Sequence, residues 1–200
     1  MTDDSTAPRA YVLNELENCL TVLDINAKDG TLSPAAKKVP YEVEGATAGT
    51  RQYGSGIELA PDGRTLYVSN RGDGAVLVFS VLEASPFLRQ IQTAKSSGTW
   101  PRYFCLAGKY LLAPDERSSS MDVFEIDAKD DGRLRRATTV TPCGKAPSCL
   151  AIIWLVKWHH PTNGEATKKT SFPLFSALCA IRPVLPSSLT PLLTPRHGAK

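Results

Sequence analysis

Two hundred residues, 42% of them hydrophobic and 22% charged, suffice for one globular domain with a sizeable core. The net charge of +3 is unevenly spread: residues 1–150 carry 17 Lys and Arg against 19 Asp and Glu, and residues 151–200 carry 6 against 1. That balance argues against a nucleic-acid partner, and no run reaches the roughly 18 apolar residues that would span a membrane.

The chain starts MTDDSTAPRA, acidic and polar, without the basic and apolar regions of a secretory signal. Residues 1–9 are expected to be disordered, and the protein to be soluble and cytoplasmic. Five cysteines, Cys19, Cys105, Cys143, Cys149 and Cys179, form no C-x-x-C pair and read as reduced thiols in packed strands.

From residue 10 the sequence repeats. The stretches AYVLNELENCLTVLDINAKDGTL (10–32), TLYVSNRGDGAVLVFSVLEASPFL (65–88) and YLLAPDERSSSMDVFEIDAKDDGRL (110–134) align on Asn14, Asn70 and Asp115. Each anchor follows an apolar run and precedes a valine by eight residues: Val22, Val78 and Val123. Ile25, Val81 and Ile126 come next, then Leu32, Leu88 and Leu134. Every unit reads as short strand, polar turn, short strand, polar turn. In the second, Ile57-Glu58-Leu59 precedes Ala60-Pro61-Asp62-Gly63, and Asn70-Arg71-Gly72-Asp73-Gly74 separates two further apolar runs. Gly tolerates φ > 0 and Pro presets its own φ, so these are hairpin turns. Sheets recurring every 40 to 50 residues or so are the blades of a β-propeller. The fold class is therefore all-β: a partial propeller of about three four-stranded antiparallel blades over residues 10–152.

The wording of the repeat, APDGRTLYVSNRGDGAVLVFSV followed by PRYFCLAGKYLLAPDERSSSMDVFEIDAKDDGRL, resembles the seven-bladed lactonase propeller family. That family includes 6-phosphogluconolactonase-like proteins and fungal carboxy-cis,cis-muconate cyclases. The likeness runs from about residue 8 to 152 and covers about three consecutive blades. It implies an enzyme that hydrolyses or forms a lactone of a small anionic substrate, sugar acid or muconate, with no cofactor and no metal. There are departures. Pro8-Arg9 runs directly into Ala10-Tyr11-Val12, leaving no room for an inner strand before it. Tyr103 stands where the family often has His, and Gly56 where many members have Glu.

Glu15 ends the run Tyr11-Val12-Leu13, and Arg102 begins Tyr103-Phe104-Cys105-Leu106. The start of one antiparallel strand and the end of its successor lie on the same edge, so Arg102 and Glu116 share an edge, and their equivalents Glu15 and Arg71 fall on that edge of their own blades. Arg102 could stabilise an oxyanion or grip a carboxylate or phosphate, and Glu15 could move a proton as general base or acid. The resemblance places Glu15 and Arg102 on positions used by the cyclase branch, which makes them the catalytic candidates. Glu116, Arg71 and Asn70 are the candidate substrate contacts. The anchors Asn14, Asn70 and Asp115 are also expected to cap turns.

Ala146 to Ile152 could begin a fourth blade. Beyond it the repeat ends: residues 153–200 carry six prolines and one acidic residue without a strand-turn period. This irregular tail is read as the product of a frameshift, retained intron or mistaken gene model, the alternative being a loosely ordered extension. His159, His160 and His197 lack ligand spacing for a metal. Three blades cannot close a ring, so an open arc is expected that self-associates through unpaired blade faces. The alternative to an enzyme is a truncated, non-catalytic segment serving as a binding surface.

Overall fold

The computed structural model describes residues 8–152 apart from residue 86. The expectations for residues 1–7 and for the tail from residue 153, its histidines and Cys179 included, lie outside the described residues.

Eleven strands and no helix occupy the described residues, in three antiparallel sheets. The first holds β1 (Arg9–Asn14), β2 (Cys19–Ile25) and β3 (Leu32–Pro40). The second holds β4 (Gly54–Leu59), β5 (Thr65–Asn70), β6 (Ala75–Val81) and β7 (Leu88–Lys95). The third holds β8 (Cys105–Ala107), β9 (Tyr110–Asp115), β10 (Ser120–Asp127) and β11 (Arg133–Val140). Two sheets thus have the four strands of a blade and the first has three, with β1 at its edge. Residues 141–152 form no strand, so no fourth blade begins among the described residues.

The repeat is visible in the pairing itself. Asn14 lies opposite Cys19, Asn70 opposite Ala75 and Asp115 opposite Ser120, so each anchor closes the same tight turn. Each sheet is irregular at the same place, between Val22 and Leu23, Val78 and Phe79, and Val123 and Phe124. These are the valines eight residues past the anchors.

The middle sheet explains why its strands read as nearly continuous apolar runs. Every residue of β5 and the first five of β6 are buried. Alternate side chains serve opposite faces. Leu66, Val68, Leu77 and Phe79 pack against Leu20, Val22 and Tyr41 of the first sheet and its outgoing chain. Tyr67, Val76 and Val78 pack against Phe104, Leu111 and Phe124 of the third. Each fully buried aliphatic or aromatic side chain contributes about 1.5–3 kcal/mol to such an interface.

Polar bonds fix the spacing of the sheets. Tyr67 donates its hydroxyl to the Gly132 carbonyl at 2.8 Å. In β7, Gln90 takes the Glu42 amide at 3.1 Å and donates to the Glu42 carbonyl at 2.6 Å. Gln92 does the same with the Leu134 amide and carbonyl, at 2.7 and 2.8 Å. Two glutamines two residues apart in a regular strand would share a face. Here Ile91 is an extra residue, since Gln92 lies opposite Val78 and Gln90 opposite Phe79. The bulge turns the two amides toward different neighbours.

Cys19, Cys105, Cys143 and Cys149 are free. Only Cys19 and Cys105 sit in strands, a correction to the expectation for the later pair. Burial, helped by the charge of Glu58, pushes the Cys105 thiol up to about 11, which leaves it unreactive.

Phe79 has 0% exposure between the first and second sheets. Phe79→Ala is expected to lower the unfolding free energy by about 3–5 kcal/mol. Val12→Ser, at a position 42% exposed, is expected to change it by less than about 1 kcal/mol. Denaturant midpoints of the two variants measure the contrast.

Candidate functional site at one edge of the sheets

β1, β5 and β9 are equivalent strands, and Glu15, Arg71 and Glu116 are the residues immediately past their ends. The latter two are anchored alike: the Arg71 amide donates to the Tyr53 carbonyl at 2.8 Å and the Glu116 amide to the Trp100 carbonyl at 3.1 Å. Arg102 is not the first residue of a strand as expected, because β8 begins at Cys105. It reaches the same edge because Pro101 forms a bridge with Asp115.

Arg71 is the best-held charge of the group. Its side chain is 11% exposed, with Nη2 2.5 Å from Glu15 Oε1 and 3.5 Å from the Gly54 carbonyl. Its guanidinium lies 5.5 Å from the ring centres of both Tyr53 and Trp100, which are themselves 6.0 Å apart. Arg117 stacks on Trp100 at 3.4 Å. A partly desolvated guanidinium over an aromatic face gains on the order of 1–2 kcal/mol. Trp100 adopts φ +72°, a conformation costly for a side-chain-bearing residue. Bonds to the following turn hold it there: its own carbonyl takes the Glu116 amide, and the Thr99 carbonyl takes the Arg117 amide at 3.2 Å.

Arg102 is more open, with a side chain 52% exposed and Nη1 3.3 Å from Glu116 Oε2. The Glu15 side chain is 55% exposed. A cavity of about 480 Å³ at this edge is lined by Tyr11, Leu13, Glu15, Ile57, Arg71 and Arg102. The structure therefore brings Glu15, Arg71 and Arg102 to one space, with Glu116 beside it through its ion pair. Asn70 does not join them. It is fully buried and donates to Gln52 Oε1 at 2.5 Å, so no substrate can reach it in this arrangement. A cavity of about 530 Å³ at the opposite edge mixes Arg9 and Arg64 with Asp62 and Asp131. It holds none of the equivalents of Glu15.

The anchors do not cap their own turns. Asn14 donates to Thr21 Oγ1 at 2.8 Å, across to β2. Asp115 is fully buried and accepts from Ser96 Oγ at 2.6 Å, and the same hydroxyl lies 3.0 Å from Asp122 Oδ2. Burial pushes the Asp115 carboxyl up to about 6, with the nearby Asp122 charge adding to the rise and the Ser96 bond opposing it. Asp122 is held low despite burial, because Ser97, Thr139 and Ser96 bond to its charged form.

At Gly56, an added Cβ would lie 2.9 Å from Ser69 Oγ and 3.2 Å from the Phe104 ring. Gly56 instead donates its amide to Ser69 Oγ at 2.8 Å. A Glu at this position would have to displace that packing. Tyr53, Trp100 and Arg117 went unnoticed in the sequence. The signal for Tyr53 and Trp100 is an aromatic residue directly before Gly54 and Pro101, at the same point of two repeats.

Residues 3–152 match the family described as "Lactonase, 7-bladed beta-propeller". The chain belongs to the seven-bladed lactonase propeller family. The 6-phosphogluconolactonase of Bacillus subtilis (strain 168) is similar to this lactonase-family chain, with 32% identity over 129 residues. The match covers 62% of this chain and 35% of that relative. The periplasmic gluconolactonase of Pseudomonas aeruginosa is similar in fold, with a TM-score of 0.60 and 27% identity over 70% of this chain and 38% of its own. A Bacteroides fragilis protein described as a candidate 6-phosphogluconolactonase gives a TM-score of 0.59 and 28% identity, over 70% and 37% of the two chains. This member of the family thus spans a little over a third of the length of the relatives it matches.

The Asp115 carboxyl titrates with a definite sign. Between its ordinary value of 3.8 and about 6, the folded chain keeps a proton that the unfolded chain has lost. Folding is therefore weakened as pH rises through that window. Asp115→Asn keeps the Ser96 bond without the charge. Its stability advantage over the natural chain is expected to grow from pH 4 to pH 6 by up to about 3 kcal/mol and then level off, as read from urea midpoints across that range.

Proposed function

We propose that the cavity bounded by Glu15, Arg71 and Arg102 is part of a site that hydrolyses the lactone of a small anionic sugar acid. The observation that carries this reading is the convergence of one carboxylate and two guanidinium groups, from three successive sheets, on one cavity of about 480 Å³. A lactone needs a base for water and a positive group for the developing oxyanion, and an anionic substrate suits a cavity with two positive groups and one negative.

In this mechanism the oxygen of water forms a bond to the lactone carbonyl carbon while Glu15 takes the water proton. The N–H groups of Arg102 donate to the carbonyl oxygen as it becomes negative. Collapse of the tetrahedral intermediate breaks the ring C–O bond, and the proton on Glu15 passes to the departing alkoxide to give the open hydroxy acid. Arg71 is nearly buried and bonded to Glu15, so it aims the base and adds a positive field. Glu116 orients Arg102 in the same way. Muconate-type cyclisation uses related groups in the direction of ring closure. The names of the relatives favour hydrolysis of gluconate-type lactones.

Glu15→Gln is expected to lower kcat by about 10²–10⁴-fold, and Arg102→Ala by about 10²–10³-fold. Both are measured in a pH-stat with 6-phosphogluconolactone and gluconolactone, against the uncatalysed rate. A natural chain no faster than buffer, or variants as fast as the natural chain, would sink the reading and leave a non-catalytic binding segment in its place.

A further inference from the structure

Ser55 and Arg102 are counterparts in neighbouring sheets. Ser55 follows Gly54, which faces Asn70, and Arg102 follows Pro101, which faces Asp115. Both stand in the same irregularity. Gly54 and Ile57 face Asn70 and Val68, so Ser55 and Gly56 share the single residue Ser69. Between Pro101 and Cys105, residues 102–104 likewise share two, Ala113 and Pro114. A surplus residue of this kind re-aims a side chain. Ser55 and Arg102 both line the cavity of about 480 Å³ that also takes in Glu15 and Arg71.

Counting protons gives the direction of the bonds around Ser55. Its hydroxyl lies 3.0 Å from the Pro101 carbonyl, which has no proton to offer, so Ser55 is the donor. That uses its one proton. Ser69 is fully buried with its hydroxyl 3.0 Å from Ser55 Oγ, and between these two Ser69 must therefore donate. Ser69 Oγ in turn accepts the Gly56 amide at 2.8 Å, and Gly56 has no partner in the ladder with β5. The bonds thus run in one sense, from the Gly56 amide through Ser69 and Ser55 to the Pro101 carbonyl. Hydrogen bonds aligned head to tail polarise and strengthen one another.

The chain crosses from the second sheet to the third and ends on the peptide group that carries the Arg102 nitrogen. Residues 102–104 belong to no strand, and the Arg102 side chain is 52% exposed. The Pro101 bridge and the Ser55 bond hold its root, and Glu116 holds its far end at 3.3 Å.

We propose that Ser55 is a positioning residue for Arg102: through Ser69 and Ser55, the second sheet sets where the guanidinium borne by the third sheet stands in the cavity. Its consequence for rate rests on the reading of this cavity as a lactone-hydrolysing site, in which Arg102 must lie within hydrogen-bond reach of an oxygen that becomes negative. A root free to turn displaces the guanidinium, and a displacement of about 1 Å costs on the order of 10²-fold in rate.

Ser55→Ala is expected to lower kcat for gluconolactone about 10- to 100-fold with KM changed less than about threefold, and Ser55→Thr, which keeps the hydroxyl, to restore kcat to within about threefold. Added to Arg102→Ala, Ser55→Ala is expected to cost nothing further, because it acts through Arg102. A second measurement needs no turnover. Phenylglyoxal modifies guanidinium groups, and its rate at Arg102 in the full chain, read by mass spectrometry, is expected to rise at least about threefold in Ser55→Ala and in Ser69→Ala but not in Ser55→Thr. Arg135, 76% exposed, serves as the reference and is expected to be unchanged. That rise without lactone turnover in any variant upholds the positioning and sinks the catalytic reading alone. An unchanged rate at Arg102, a loss of kcat as large without Arg102 as with it, or a Ser55→Thr variant that behaves as Ser55→Ala overturns the positioning.

Discussion

Burial of the middle sheet on both faces is the constraint from which the rest of the molecule follows. A sheet with one wet face can alternate polar and apolar residues, and its neighbours are free to sit at many angles. β5 and β6 have no wet face, so the first and third sheets must stack on either side of them. Stacking equivalent strands face to face brings their equivalent ends to one edge. That geometry, more than any attraction between Glu15, Arg71 and Arg102, is what assembles the three charges.

The charges are then sorted by their surroundings. Arg71 is clasped by Glu15, Tyr53 and Trp100 and has little freedom to meet a ligand. Arg102 and Glu15 are half open to water and face the cavity. Exposed ion pairs of this kind add little to stability, generally under about 1 kcal/mol. Their value lies in fixing where charge sits. Asn70, whose sequence position matches theirs to within one residue, points instead into the protein, because successive side chains of a strand alternate.

Much of this was legible in the sequence, and the reason is physical. Valines recurring eight residues past Asn14, Asn70 and Asp115 mark the same bulge in all three sheets, and turn formers mark each hairpin. Such signals are local. The fourth strand of the second sheet was harder to see, since Leu88–Lys95 reads LRQIQTAK and its glutamines look like loop residues until their partners Glu42 and Leu134 are known. The anchors' partners are hidden for the same reason: Asp115 bonds Ser96, and Asn70 bonds Gln52, residues 19 and 18 positions away. Arg102 reaches its edge through a single bridge at Pro101 and not through a strand, which the apolar run after it does not reveal. Trp100 escaped altogether, its left-handed backbone being set by the turn that follows β9.

The surplus residue in β7 has a mechanical meaning. By shifting the alternation of side chains at Ile91, it lets Gln90 grip the chain leaving the sheet before it while Gln92, two residues on, grips the sheet after it. Two seams that touch no common side chain are thereby yoked through a single short piece of main chain. Disturbance at one seam would travel to the other along covalent bonds, so the three sheets would loosen together and not one at a time.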